Sequence, residues 1–570
     1  MHVGDIVPPT LAVVVSWIFL GALIAGVGHV TRRGLLRVGA GQAVDSFKPA
    51  DLWIGLAALV AYLQLWSLVA AVSWKAAIVP VVAALFGLGL GARKLGHLKG
   101  VSLSWPVVAG VVVAVLWLAN RSLAAAFYYD LGLYHFAAID YGSQFAAIPG
   151  LGNLHGRLGA GNGHLLLVSL VDHGPFARFG FHILNGLLAV ILVIDIAWRH
   201  VPRAAGRRLA SFTNRVALLL LPVLLVAIVG GKGSRLNNPD LDFAVFILVM
   251  IGMLYLVECL ELGFRATPAL VAAASLSLAA TTRPLYWPLA VVVGGMIVFS
   301  AAKRTLSVRV VAAVLFLPIV LLGGWMSRQA VLSGYPLFPL TAGGLPVDWR
   351  MPTAAVHELN RFVTSWARSP GDDPNVVLAS WHWFHPWLRS HTGDLDLAGP
   401  ALLLAGSVPL LARRSAEEVR RRRAWRTPML AMTLPALPLL VVWFFNAPDP
   451  RFAMALLWLP PLALVAWALP ENFRRSRVAY ASLACVLLIT LGLVAHKGVF
   501  WPIVSNGIGP LGTEPVPGAA VVPFVTRSGL EIYRPAHGEL CWRVELCTPR
   551  PRSDLRLRGA DISHGFRIEH

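Results

Sequence analysis

The chain has 570 residues, of which 57% are hydrophobic and only 13% charged, with a mean hydropathy of +0.68. A soluble domain carries about 25% charged residues, so a string of soluble domains is excluded. A backbone this apolar is satisfied in lipid only by helices or a closed barrel. The net charge of +20 does not indicate nucleic acid, because much of it lies in short loops between apolar runs rather than in one basic domain.

The apolar runs are long and do not alternate, which predicts an all-α polytopic membrane protein rather than barrel strands. Spans are predicted at 10–29, 51–71, 76–92, 103–120, 178–198, 215–231, 241–262, 267–282, 285–300, 309–324, 397–412, 428–445, 452–469 and 479–496. That is about fourteen crossings. They divide the chain into N-terminal membrane helices (1–120), a first large outer loop (121–177), a membrane core (178–324), a second outer region (325–396), C-terminal membrane helices (397–496) and a tail (497–570). Alternation of apolar and polar residues from Ala519 to Tyr533 predicts some β structure in that tail.

Basic clusters follow alternate spans: Arg32, Arg33 and Arg37; Arg93, Lys94 and Lys99; Arg203, Arg207 and Arg208; Lys303 and Arg304; Arg413 to Arg426; and Arg474, Arg475 and Arg477. Fourteen spans put every cluster on one face, which the positive-inside rule makes cytoplasmic. The three long polar segments then emerge on the opposite face. This arrangement predicts a plasma membrane protein with its working face outside the cytoplasm.

Chemistry-bearing residues gather in those outer segments. The first loop reads Tyr128-Tyr129-Asp130-Leu131-Gly132-Leu133-Tyr134-His135, then Ile139-Asp140-Tyr141, then Pro149-Gly150-Leu151-Gly152-Asn153-Leu154-His155-Gly156-Arg157. Asp130 is either a helix N-cap or a functional carboxylate. Asp240 and Asp242 open the span at 241–262, where they serve either as caps that offset the helix dipole or as oxygen ligands for Mg²⁺ or Mn²⁺. Arg283, Arg328 and Arg451 lie at the outer ends of later spans, against the positive-inside trend. Each snorkels to lipid headgroups or meets a phosphate, which guanidinium binds in a bidentate fork. Trp381-His382-Trp383-Phe384-His385-Pro386-Trp387 is an interfacial belt or a platform for a sugar or lipid acceptor. Cys259 and Cys485 lie inside apolar runs as inert core residues. Cys541 and Cys547 in the tail form a disulfide, a metal pair or neither, with the disulfide favoured outside the cytoplasm.

With an acidic residue followed by tyrosines in its first large outer loop, this multi-spanning chain resembles the GT-C glycosyltransferases, membrane enzymes that take sugars from polyprenyl-phosphate donors. Tyr129-Asp130 through Tyr134-His135 stands where that superfamily carries its catalytic acidic residue. Within it the chain is most similar to a family of bacterial multi-spanning membrane proteins that share PGLGNLHGR (149–157), SGYPLFP (333–339) and a tail with Thr526-Arg527-Ser528-Gly529-Leu530, Cys541-Trp542 and Gly565-Phe566. Two departures stand out: three extra spans precede the acidic loop, and Leu131 replaces a second acidic residue.

The resemblance implies transfer of a sugar from a polyprenyl-phosphate donor to an extracytoplasmic glycan, lipid or protein acceptor, in the bacterial inner membrane. Asp130 would be the general base, its pKa raised by partial desolvation, with Asp140 as the competing candidate. Arg283 and Arg451, with Arg328 in support, would neutralise the departing phosphate. Tyr134, His135, His155 and Arg157 would orient the acceptor or the phosphate. The rival expectations are a lipid or polysaccharide transporter or flippase, a lipid-linked oligosaccharide polymerase or ligase acting through 325–396, and a non-enzymatic assembly partner.

Overall fold

A computed structural model describes residues 6–40, 46–92, 104–200, 212–230, 235–412, 422–469, 492, 500–504, 511–513 and 515–569. The membrane-length helices are mostly apolar on every side, as spans in lipid must be. In chain order they are α1 (Val7–Ala40), α2 (Ala50–Trp66), α3 (Trp74–Ala92), α4 (Trp105–Ser122), α5 (Phe136–Gln144), α6 (Leu151–Leu154), α7 (Gly163–Val171), α8 (Leu184–Arg199), α9 (Phe212–Val229) and α10 (Leu241–Leu262). After them come α11 (Ala266–Thr282), α12 (Trp287–Ala302), α13 (Val308–Ser333), α14 (Thr353–Arg368), α15 (Pro374–Ala379), α16 (Phe384–His391), α17 (Leu395–Ala412), α18 (Arg423–Thr433), α19 (Ala436–Asn446) and α20 (Met454–Ala468).

Among the described residues, ten helical stretches are long and apolar enough to cross a membrane, where the pattern of apolar runs predicts about fourteen spans. Three of the other predicted spans are the shorter apolar helices α2, α11 and α17, and the stretch predicted at 479–496 lies outside the described residues but for Gly492. Helix α10 is the hub, with every residue from Leu241 to Val257 buried. By contrast α3, α4 and α12 expose Val82, Phe86, Val113, Val291 and Phe299, the outward apolar face that lipid accepts.

Two helices overrun their predicted ends for identifiable reasons. Helix α1 continues through Arg32, because Arg32 Nε and Nη2 fork onto the Asp51 carboxylate of α2 at 2.6 and 2.9 Å. The buried pair lets the helix carry a charge past the apolar run. The same crossing is tight: a Cβ at Gly55 would lie 1.9 Å from the Ile24 carbonyl oxygen, so α1 and α2 pack backbone to backbone. Helix α13, predicted to stop at 324, runs to Ser333 and carries Arg328 within its last turns. Arg328 is therefore a helix residue, not a loop residue.

The three long polar segments pack against one another at one end of the bundle. Asn153 Nδ2 donates to the Trp349 carbonyl at 2.8 Å, Phe566 N to the Pro149 carbonyl at 2.9 Å, and Arg558 Nε to Asp348 Oδ2 at 2.9 Å. In the tail, β1 (Val521–Val525) pairs antiparallel with β2 (Glu531–Pro535), in register Val521 to Pro535 and Val525 to Glu531. Their turn places Gly529 at φ +80°, a conformation that only glycine adopts without strain. A second antiparallel pair joins β3 (Leu555–Leu557) to β4 (Phe566–Ile568). Cys541 and Cys547 are joined by a disulfide.

Candidate functional site

Asp130 precedes a single π-helical turn, Leu131–His135, and makes no capping bond with its side chain. Turns of this kind interrupt α-helices and concentrate at functional sites. With its capping role vacant, the Asp130 carboxylate turns to Arg451, whose Nη1 lies 3.0 Å from Oδ2. The Tyr128 hydroxyl also bonds Arg451 Nη1. Arg451 reaches Asp449 Oδ2 at 3.0 Å and Asp242 Oδ2 at 4.0 Å through Nε. Asp242 in turn holds Arg283 Nε at 2.7 Å. Both guanidinium groups stand over the Phe452 ring, at 4.6 Å for Arg283 and 5.0 Å for Arg451. The sequence-predicted Asp130, Arg283 and Arg451 thus converge, and Asp242 is the bridge between them.

The turn that carries Arg451 is braced by tryptophans of α16 and α19. Trp387 Nε1 donates to the Pro448 carbonyl and Trp443 Nε1 to the Asp449 carbonyl, each at 2.8 Å. Trp383 and Trp387 are buried against Phe444, while Trp381 is exposed. These tryptophans therefore position a turn as well as meeting the surface. Asp449 Oδ1 caps the same turn by accepting from Arg451 N.

Electrostatics differ from the expectation for Asp130. Burial works against its ionisation, but Arg451 and Arg157 outweigh burial and hold its carboxyl well below the usual carboxylate range. Desolvation alone was expected to raise it; the converging guanidinium groups reverse the sign. His135 is buried, with neither ring nitrogen hydrogen-bonded. Burial pushes its pKa down to about 3, so it is a neutral imidazole with a free lone pair and a free N–H. Tyr134, packed edge-on against His135 at 4.5 Å, is pushed up to about 12 by burial and by the Asp130 charge.

Two cavities flank this array. One of about 660 Å³ is lined by Tyr129, Trp366, His537, Glu539 and Trp542, among others. The Arg451 guanidinium lies 5.4 Å from the centre of the Trp366 ring, so the cavity and the ion pair share a wall. A second, of about 260 Å³, is lined by His155, Arg157, Glu358, Arg550 and Arg552, among others. Phe362 and Glu539 border both. Arg157 lies over the Tyr134 ring at 5.6 Å, which links the second cavity to the Asp130 turn. His155 Nδ1 accepts from Arg157 N, and burial pushes its pKa down to about 3.

Other predicted residues lie apart from this array. Asp140 pairs with Arg543 of the tail at 2.7 Å, and Arg543 also holds Asp172 at 3.2 Å. Asp140 is thereby part of a tether between the first loop and the tail. Asp240 caps α10 by accepting from Asp242 N and Phe243 N, and lies 3.5 Å from Arg235. Among the described residues no group of three or more His, Cys, Asp or Glu side chains is arranged to hold a metal ion. Arg328 Nη1 donates to Ser67 Oγ at 2.9 Å and forms no part of the Asp130 array.

Sequence reasoning passed over Tyr128, Asp449, Trp366, Trp542 and Arg543 as site residues. Trp542 N donates to the Gly132 carbonyl at 2.8 Å, and its ring would lie about 3 Å from a Cβ at Gly132 (close contact that a side chain there would forbid). Tyr128 and Trp542 stand inside quoted motifs and Asp449 two residues before Arg451, so these three left a local signal.

The family described as "Domain of unknown function (DUF8201)" matches residues 11–458. The chain belongs to this family. Asp130, Asp242, Arg283 and Arg451 all fall within the matched stretch of this DUF8201 chain, whereas Trp542 and Arg543 fall beyond it. No curated protein and no solved structure matches the chain.

Proposed function

We propose that the chain is a membrane glycosyltransferase that moves a sugar from a polyprenyl-phosphate donor to a hydroxyl of an acceptor glycan, lipid or protein. The reading rests on one observation: Asp130, Arg451, Asp242 and Arg283 form a continuous charged array, drawn from separate segments, beside a cavity of about 660 Å³. Paired guanidinium groups at the end of a bundle suit a lipid phosphate, since they bind it in a fork while its chain stays in the bilayer.

The resting ion pair then becomes part of the mechanism. A donor phosphate competes with Asp130 for Arg451. Once Arg451 turns to the phosphate, Asp130 loses its largest stabilising charge and its basicity rises. The acceptor hydroxyl gives its proton to Asp130, its oxygen bonds to the anomeric carbon, and the bond from that carbon to the phosphate oxygen breaks. Arg451 and Arg283 carry the charge that develops on the departing phosphate. Coupling base strength to donor binding restrains the carboxylate until a substrate is present.

Two further points support an active site outside the cytoplasm. Basic clusters such as Lys303 and Arg304 favour a cytoplasmic side for the opposite end. The Cys541–Cys547 disulfide belongs in an oxidising compartment. Transfer of label from polyprenyl-phosphate sugars to envelope acceptors, measured in proteoliposomes with Mg²⁺, Mn²⁺ or EDTA, tests the reading. Wild type should transfer sugar, and Asp130→Asn should not. A variant that transfers at the wild-type rate removes Asp130 from the role of base.

A further inference from the structure

Arg328 differs from the arginines that form the ion pairs of this bundle. Arg32, Arg199, Arg235, Arg283, Arg451 and Arg543 each face at least one carboxylate. Arg328 is 8% exposed and has no acidic partner among the described residues. Its one hydrogen bond runs from Nη1 to Ser67 Oγ, and its Nε has no acceptor. The Ser67 hydroxyl donates its own proton to the Gln64 carbonyl at 2.9 Å, so it offers Arg328 a lone pair but no charge. Leaving a buried guanidinium uncompensated costs several kcal/mol on the order of a broken buried ion pair.

A second group at the same junction is equally unserved. Gln64 is 0% exposed, and neither Oε1 nor Nε2 of its amide has a hydrogen-bond partner. Helix α13 meets α2 there: a Cβ at Gly324, one turn before Arg328, would lie 3.3 Å from Gln64 Oε1. The segment that leads into α7 closes the junction from the other side. A Cβ at Gly161 would lie 3.2 Å from Arg328 Nε, and one at Gly163 would lie 3.0 Å from Gln64 Nε2. Glycines keep both polar groups uncovered.

Beside Arg328 lies a cavity of about 20 Å³, bordered also by Gly161 and Asn162. That volume suits one particle about the size of a water molecule. It is too small for a phosphate, a carboxylate or a sugar. A water would satisfy hydrogen bonds but leave the positive charge unbalanced. We propose that Arg328, at the junction where the Gln64 amide is also unserved, holds a single small monovalent anion of the halide class, chloride under ordinary conditions. Bound there, the ion would pin the segment 149–171 onto α2 and α13. It is distinct from the phosphate site, whose arginines already carry carboxylates.

The test uses the full chain in detergent, with chloride exchanged for gluconate at constant ionic strength. Chloride should raise the unfolding temperature of the wild type by about 2–4 °C, saturably, as expected for a ligand that binds only the folded state. Arg328→Gln should abolish that rise. Should Arg328→Gln fail to fold, Gln64→Leu should shift the chloride midpoint upward by about tenfold. Crystals of wild type soaked in bromide should show an anomalous peak beside Arg328. Equal unfolding temperatures in chloride and gluconate, a chloride effect that survives Arg328→Gln, or bromide-soaked crystals without that peak would each overturn the proposal and leave water as the occupant.

Discussion

Two clusters of arginine and carboxylate in this bundle use the same side chains to opposite ends. At the basic end, Asp195 accepts from Trp53 Nε1 at 2.9 Å, from Tyr255 Oη at 2.8 Å and from Arg199 Nε at 2.7 Å, while Arg199 Nη1 reaches Glu258 at 2.6 Å. Both Asp195 oxygens are engaged, and the cluster joins α2, α8 and α10. At the other end the Asp130 array keeps unused valence. Asp242 Oδ2 and both nitrogens of His135 lack hydrogen bonds, and a cavity adjoins Arg451. A saturated network fastens helices together; an unsaturated one beside a cavity leaves places for a ligand.

Substitutions at the two ends should therefore fail in different ways. The largest effect is expected from Asp130→Asn, which should lower sugar transfer per folded molecule by about 10²–10⁴-fold. Arg451→Gln should cost a comparable factor in transfer and also raise the KM for the lipid donor, which initial-rate kinetics would separate. At the saturated end, Asp195→Asn should strip Arg199 of a partner and cost about 3–5 kcal/mol of stability. The folded fraction that survives should keep its transfer rate per molecule. If Asp195→Asn abolished transfer in folded protein, the distinction between the two clusters would collapse.

A smaller effect concerns the tail. Replacing Cys541 and Cys547 by serine should destabilise the docked tail by about 2 kcal/mol, a modest value because the bridge closes a short loop. Limited proteolysis between β2 and β3 would read it. The smallest expected effect is a pH slope at Asp140. Burial, opposed by Arg543, pushes its carboxyl up to about 6. Between about pH 4, its unfolded value, and about pH 6, the folded state holds the extra proton. Stability should therefore fall as pH rises through that window and level off above it. Asp140→Asn should flatten the slope in thermal melts across pH 4–7.

Legibility in the sequence follows the range of the interactions. Helix α10 emerges from the apolar pattern with its boundaries intact, because its only requirement is burial. Helix α1 does not, because its continuation depends on Asp51, nineteen residues from Arg32. At the site, Asp130 is recognisable from its setting and Arg283 and Arg451 from their place at span ends away from the basic clusters. The sign of the Asp130 shift is not recognisable, since it depends on guanidinium groups delivered by remote segments. Asp242 offers two readings in sequence, cap or ligand; in the fold its neighbour Asp240 is the cap, and Asp242 spans two arginines. Arg543 lies 403 residues from its partner Asp140, and no local spacing announces such a pair.

That separation has a consequence in time. The π-helical turn after Asp130 is held by Trp542, and the loop around it by Arg543. Both residues leave the ribosome after every described helix has been made. The helices can enter the bilayer in order, yet the turn that presents Asp130 has no Trp542 clasp until the tail arrives and its disulfide closes. The finished site thus depends on late synthesis: a chain interrupted before the tail would keep the Arg451 pair but lack the Trp542 bond to the acidic turn.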